Sequence, residues 1–318
     1  MASGQPVGEL GNILYGNLKI WTGIYTGTGV DEREVGLAGF RPIWGFLKRS
    51  GGYLTYMRGW KIGTYAPANN ALITNAVIRT HGSGYTLGTD ASVNTNNVSG
   101  IMVCFGIEPK PTTSGTLAVI GEYIGDGTGR TIVLPNQFIP KFVMVWRSGG
   151  YDPVFATDKH PYYRTSYFTN GLSDIMSGSI DGLGVPAYNN FIVGPHITSN
   201  ISGYRYHYLA VGVGSGNLSG GAAKACAVDL VTSYSLSHEM FIPLPFTPHY
   251  ATGINDAYSP VFGTSGEVSI GNAHYYTSTM LADGYKKYEP GGMWVGQGTA
   301  VQAASRRHEF FAISASGL

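Results

Sequence analysis

The chain has 318 residues, of which 47 are glycine and 22 tyrosine, with 12% charged residues and a formal net charge of +1. That balance, with no basic block, excludes the electrostatic footprint of a nucleic-acid binder. No apolar run reaches the ~18 residues of a membrane span, and the opening Met1-Ala-Ser-Gly-Gln-Pro6 lacks the charged-then-apolar layout of a secretory signal. Glycine serves turns and breaks helices, whereas Tyr, Val, Ile and Thr favour strands. Long 3.6-residue apolar stripes are missing. The composition therefore predicts an all-β protein of many short strands.

Taken in order, residues 1–17 are Gly- and Asn-rich with scattered apolar positions, and read as an N-terminal arm or lead-in strand. Leu18-Lys-Ile-Trp21 is a strand, and Ile24-Tyr25 then leads to the turn Thr26-Gly-Thr-Gly29. Arg33-Glu-Val35 is a second strand, leading to Phe40-Arg-Pro42, where proline fixes its own φ and holds Arg41 extended. Ile43-Trp-Gly-Phe-Leu47 is apolar at nearly every position, the pattern of a strand buried on both faces or at the centre of a sandwich. Arg49-Ser-Gly-Gly-Tyr53 turns the chain back, a further strand falls between Leu72 and Ile78, and 85–87 and 100–107 close the unit.

The same script then repeats. Phe138-Ile-Pro140 is followed by Arg147-Ser-Gly-Gly-Tyr151, with the spacing of the first copy, and Phe246-Thr-Pro248 opens a third, more divergent copy. Tyr151-Asp-Pro-Val-Phe155 is echoed by Tyr258-Ser-Pro-Val-Phe262. A second phrase keeps the period: Gly84-Tyr-Thr-Leu-Gly88 before Val93-Asn94, Phe191-Ile-Val-Gly194 before Ser199-Asn200, and Gly292-Met-Trp-Val-Gly296 before Val301-Gln302. The expected fold is all-β, as three tandem antiparallel β-sandwich repeats of ~100 residues, each large enough for its own core. The expected boundaries are an arm at 1–17 and repeats at 18–110, 116–214 and 224–318, with polar, glycine-containing joints at 110–115 and 212–221.

Chemistry is hard to find. Gly125-Asp-Gly-Thr-Gly129-Arg130 lacks the Gly-Lys-Ser/Thr ending of a phosphate loop and precedes a strand. His238-Glu239 and His308-Glu309 lack the second histidine of a zinc-protease helix, and no ladder of Asp and Asn suggests calcium. The 19 carboxylates form no pair shared among the repeats, so neither a catalytic residue, a metal nor a cofactor is expected. A glycan-cleaving carboxylate pair is a distant alternative. Cys104 lies in Ile101-Met-Val-Cys-Phe105 and reads as an inert core thiol. Asn97-Val-Ser, Asn200-Ile-Ser and Asn217-Leu-Ser match the glycosylation pattern by chance.

Binding remains. Of five tryptophans, Trp44, Trp146 and Trp294 fall within repeated phrases and are expected in the core, while Trp21 and Trp60 are open. The insert Asp158-Lys-His-Pro-Tyr-Tyr-Arg164 is polar, aromatic and confined to the second repeat. Asp158, His160, Tyr162, Tyr163, Arg164 and Trp60 are therefore the candidate ligand- or partner-binding residues, since aromatic rings with polar tips suit sugars and protein interfaces.

The unit Tyr25-Thr-Gly-Thr-Gly29, Gly39-Phe-Arg-Pro42, Lys48-Arg49, Gly84-Tyr-Thr-Leu-Gly-Thr-Asp90 and Val93-Asn94 resembles a domain common in structural proteins of tailed bacteriophages, including tail-fibre-like and other virion proteins. The likeness covers most of the first two repeats and fragments of the third; His196 stands in place of Asp90, and Gln302 in place of Asn94. It implies a lectin-like β-sandwich in a virion protein assembled in the bacterial cytoplasm, and it brings no catalytic residues. On this reading the chain is a non-enzymatic, outward-facing, tail-fibre-like protein that binds host-surface glycan. The alternative is a capsid or tail decoration or adaptor protein. Its expected partners are other virion proteins and further copies of itself, with no nucleic acid and no membrane insertion.

Overall fold

A computed structural model describes residues 14–36, 38–50, 54–57, 64–65, 72–73, 75–108, 116–147, 153–159, 166–167, 183–185, 189–214, 225–231, 239–255, 261–264, 272–275, 280–282, 284–298, 301–302 and 307–314. The first third holds β1 (Leu14–Thr26), β2 (Arg33–Val35), β3 (Trp44–Arg49), β4 (Leu54–Met57), β5 (Thr64–Tyr65), β6 (Leu72–Ile73), β7 (Val77–His81), β8 (Gly84–Leu87), the single-turn helix α1 (Ala91–Asn94) and β9 (Ser99–Glu108). The second holds β10 (Thr116–Ile124), β11 (Arg130–Val133), β12 (Phe138–Arg147), β13 (Val154–Thr157), β14 (Ser166–Tyr167), β15 (Leu183–Gly184), β16 (Asn190–Val193) and β17 (Arg205–Gly214). The last holds β18 (Ala225–Val231), β19 (Met240–Pro243), β20 (Tyr250–Asn255), β21 (Val261–Thr264), β22 (Asn272–Tyr275), β23 (Met280–Ala282), β24 (Tyr285–Glu289), β25 (Gly292–Val295) and β26 (Arg307–Ile313). The protein is all-β, as its composition predicts.

An eleven-stranded sheet runs β14-β13-β12-β17-β10-β1-β9-β3-β4-β5-β6, and a six-stranded sheet runs β18-β26-β20-β21-β22-β23. Three small sheets run β2-β8-β7, β11-β16-β15 and β19-β25-β24. The first strand of each third pairs antiparallel with its last: β1 with β9, β10 with β17, β18 with β26. The last strand pairs in turn with the one that follows or begins at Phe-x-Pro: β3, β12 and β20. Leu14–Asn17, read from sequence as the end of an arm, are the first four residues of β1 and pair with Ile120–Leu117 of β10, which is how two segments fuse into one sheet. Gly212–Gly214, read as part of a joint, belong to β17.

Strand alternation sorts the side chains into two kinds of core. Tyr25, Leu47, Met102 and Cys104 pack with Val35, Tyr85 and Leu87 of the small sheet beside them. Val143, Val145 and Ala210 do the same with Phe191 and Val193, and Ala251, Phe310 and Ala312 with Ile242, Met293 and Val295. The opposite faces of the large sheets meet in a single further core, where Leu18, Trp44, Phe46 and Phe105 join Phe142, Trp146 and Val211 and then Tyr250, Phe262 and Phe311. Ring contacts cross every junction: Trp44 to Trp146 at 6.3 Å, Phe46 to Phe262 at 4.9 Å and Phe142 to Phe311 at 4.6 Å. Thr116 Oγ1 also donates to the carbonyl of Ser314 at 2.9 Å.

In β12 a register shift between Pro140 and Phe142 lets Ile139 and Phe142 face the same core, and leaves Lys141 outside the ladder. The Phe-x-Pro phenylalanines are seated alike. Phe40 covers Gly106 and Phe138 covers Gly212, where a Cβ would lie 2.3 Å and 2.9 Å from the respective rings. Phe246 is buried in the inner core of its own third. Glycine at 106 is thus required by the ring lying on it, and glycine at 212 by the Ile139 carbonyl, which a Cβ would meet at 2.1 Å, as well as by the ring.

Candidate functional site

In each of the first two segments, the glycine-rich turn after the first strand is tied to the turn before the last. Asn94, fully buried, accepts at Oδ1 from Thr28 N (2.9 Å) and Gly29 N (3.3 Å) and donates from Nδ2 to Val30 O (2.8 Å) and Gly88 O (2.7 Å). Asn200 repeats the tie: Oδ1 accepts from Asp126 N at 3.2 Å, and Nδ2 donates to Asp126 Oδ1 at 2.8 Å and to Thr128 O. Tyr25 Oη donates to Val93 O at 2.8 Å, and Tyr123 Oη to Ser199 O. Asn200 is fully buried, so it is no glycan acceptor in the folded chain.

The turn that presents these asparagines is capped three ways. Asp90 Oδ1 accepts from Ser92 N at 2.8 Å; His196 Nδ1 accepts from Thr198 N at 3.2 Å. Both carbonyls accept from the Asn amide, at 2.9 Å and 2.8 Å, and Gly298 O accepts from Gln302 N at 2.8 Å. Histidine can therefore replace aspartate because its unprotonated ring nitrogen supplies the same acceptor. Gln302 is 4% exposed, and neither end of its amide finds a partner among the described residues.

The second segment buries a charge cluster. Glu122, 5% exposed, accepts at Oε1 from Arg205 Nη1 at 2.9 Å, and its Oε2 lies 3.5 Å from His207 Nδ1. His207 stacks on Trp146 with ring centroids 6.0 Å apart. In the first segment Lys48 is 4% exposed, and burial pushes its ammonium down to about 8. Burial also pushes the Cys104 thiol up to about 12, so it is an unreactive core thiol, as read from sequence. Among the described residues, no three His, Cys, Asp or Glu side chains stand together in metal-holding geometry.

Of the sequence candidates, Asp158 is described. It lies partly buried beside β13, its Oδ2 2.6 Å from Lys141 Nζ, and its Oδ1 is buried without a hydrogen-bond partner among the described residues. A backbone bond from Asp158 N to Lys141 O at 3.1 Å sets the two residues side by side. The carboxylate is engaged internally and, with Lys141, lies near Cys226 of the third segment. His160, Tyr162, Tyr163, Arg164 and Trp60 lie outside the described residues. Trp44 and Trp146 are 2% and 0% exposed, as expected of core residues. Trp294 differs: Met293 and Val295 take the inner face of β25, so alternation puts the half-buried indole on the outer face beside Phe241, with centroids 5.1 Å apart. The repeated phrase carried the signal, since Trp294 aligns with Thr86, whose parity is opposite to that of the inward-facing Tyr85 and Leu87.

No protein-family model matches the chain, and no curated protein matches it.

Proposed function

We propose that this chain is a non-enzymatic structural protein of a tailed-phage virion, made of three tandem copies of one antiparallel β-sandwich module of ~100 residues. Its place is on the outside of the particle, as a tail-fibre-like protein that attaches to host-surface glycan and assembles with other virion proteins and further copies of itself. The observation that carries this reading is the recurrence of one strand order and one Asn- or Gln-bearing turn around a shared core. Such a chain invests its residues in a rigid repeated body. Its buried ionisable groups support that use: Glu122 is held by Arg205, and Asp158 by Lys141. The sequence resemblance to phage structural domains supplies the setting.

A second reading, a decoration or adaptor protein, draws on the outer edge of β18, which has no strand beside it among the described residues and so offers backbone groups to a partner strand. Host-cell adsorption separates the two. Purified chain that binds host cells and competes with phage adsorption fits attachment. Chain that binds purified particles but ignores cells fits the adaptor.

A further inference from the structure

We propose that the outer face of the β19-β25-β24 sheet is a saccharide platform, on which Trp294 and Phe241 stack the apolar faces of a neutral pyranose chain. The proposal deepens the attachment reading above and rests on it.

Three aligned rows of residues single this face out. Across β2-β8-β7 the outward row is Glu34, Thr86 and Arg79. Across β11-β16-β15 it is Thr131, Ile192 and Gly184. Across β19-β25-β24 it is Phe241, Trp294 and Lys287. The same strand position thus carries a fully buried threonine, an isoleucine and a half-buried indole, and Phe241 remains 36% exposed beside the last.

The indole is held ready for stacking. Its Nε1 donates to Glu289 Oε1 at 2.8 Å, which satisfies the polar edge and fixes the ring plane. The Phe241 ring is tilted 48° to it and is pressed toward the Cα of Gly292, where a Cβ would come within 2.5 Å of the ring.

Size and charge choose the occupant. With Phe241 36% exposed and Trp294 half-buried, the two rings offer only part of the roughly 150–250 Å² that each aromatic side chain carries, far short of the ~800 Å² per partner of a stable protein interface, but of the size of a sugar ring. The flanking charges pair one to one, Lys287 with Glu289 at 2.5 Å and Lys286 with Glu239 at 3.9 Å. Among the described residues the rim is therefore neutral, which favours an uncharged ligand, while its carboxylates and ammonium groups can accept from and donate to ring hydroxyls.

The test uses the full-length chain on an array of neutral hexose and N-acetylhexosamine oligosaccharides, with sialylated and uronic-acid glycans alongside, and titrates the hits by isothermal titration calorimetry. At least one neutral oligosaccharide should bind. Trp294→Ala and Phe241→Ala should each raise its Kd at least tenfold, whereas Trp294→Phe, which keeps a ring, should change it only a few-fold. Circular dichroism verifies the fold of each variant, and Phe241→Thr, a strand former, replaces an alanine variant that fails to fold. Neutral-glycan binding that survives both truncations overturns this site and leaves the attachment reading standing. Binding confined to acidic glycans overturns the ligand class. Silence of the unmodified chain on every glycan overturns the site together with the reading beneath it.

Discussion

Truncating Phe46 to alanine removes a fully buried ring whose aromatic neighbours include Phe262 at 4.9 Å and Tyr250 at 6.2 Å, both from the last third of the chain. Losing a buried phenylalanine costs about 3–5 kcal/mol in transfer and cavity terms. If the thirds share one core, part of that cost is a contact energy with Phe262, of about 0.5–1.5 kcal/mol for a close ring pair. A double-mutant cycle isolates it: Phe46→Ala, Phe262→Ala and the double variant, each unfolded in guanidinium and followed by both fluorescence and circular dichroism. Coincident transitions make the free energies comparable. The double variant should be more stable than the sum of the single losses predicts, by that contact energy. A coupling of zero, with a transition from the last third that ignores Phe46→Ala, would refute the shared core and leave three sandwiches strung in a row.

Asn94→Ala strips four backbone partners from one buried amide and should cost about 2–4 kcal/mol. Gln302→Leu, which removes an amide without partners among the described residues, should stay within about 1 kcal/mol of neutral in the same denaturation assay. His196→Asp restores the acceptor used in the first turn and should hold or raise the melting temperature. Burial pushes the Lys48 ammonium down to about 8 from its ordinary 10.5, so the unfolded chain binds its proton more tightly and stability rises with pH through that interval. Tyr25, Tyr85, Tyr123 and Tyr208, pushed up by burial, act the other way: their contribution holds below pH 10 and is lost above it. Lys48→Met should therefore remove a rise of about 1–2 kcal/mol between about pH 8 and 9.5, read as the difference between unfolding curves of the two proteins. Parallel pH profiles would show that Lys48 is not desolvated.

The parts of the fold legible in the sequence are those set by short-range pattern. Phe-x-Pro marks the entry to β3, β12 and β20, and the Asp90, His196 and Gly298 turns emerge from aligning the Val93-Asn94, Ser199-Asn200 and Val301-Gln302 pairs. The apolar run at 43–47 reads correctly as a strand covered on both faces. What covers its second face is invisible, because a neighbouring sheet and the opposite layer of the same sandwich demand the same residues. Sequence spacing likewise hides Glu122 and Arg205, which meet only through the β10–β17 pairing. Trp294 departs from the core expectation because membership of a repeated phrase says where a residue sits along a strand. Only its parity with Met293 and Val295 says which face it takes.

The most direct test of the whole account is a cryo-EM map of the intact particle that carries this chain. The account predicts an outward-facing density of three lobes per chain around one centre, with Phe40, Phe138 and Phe246 in matching positions. A chain missing from the particle, or three lobes spaced along a thread with no common interior, would contradict it.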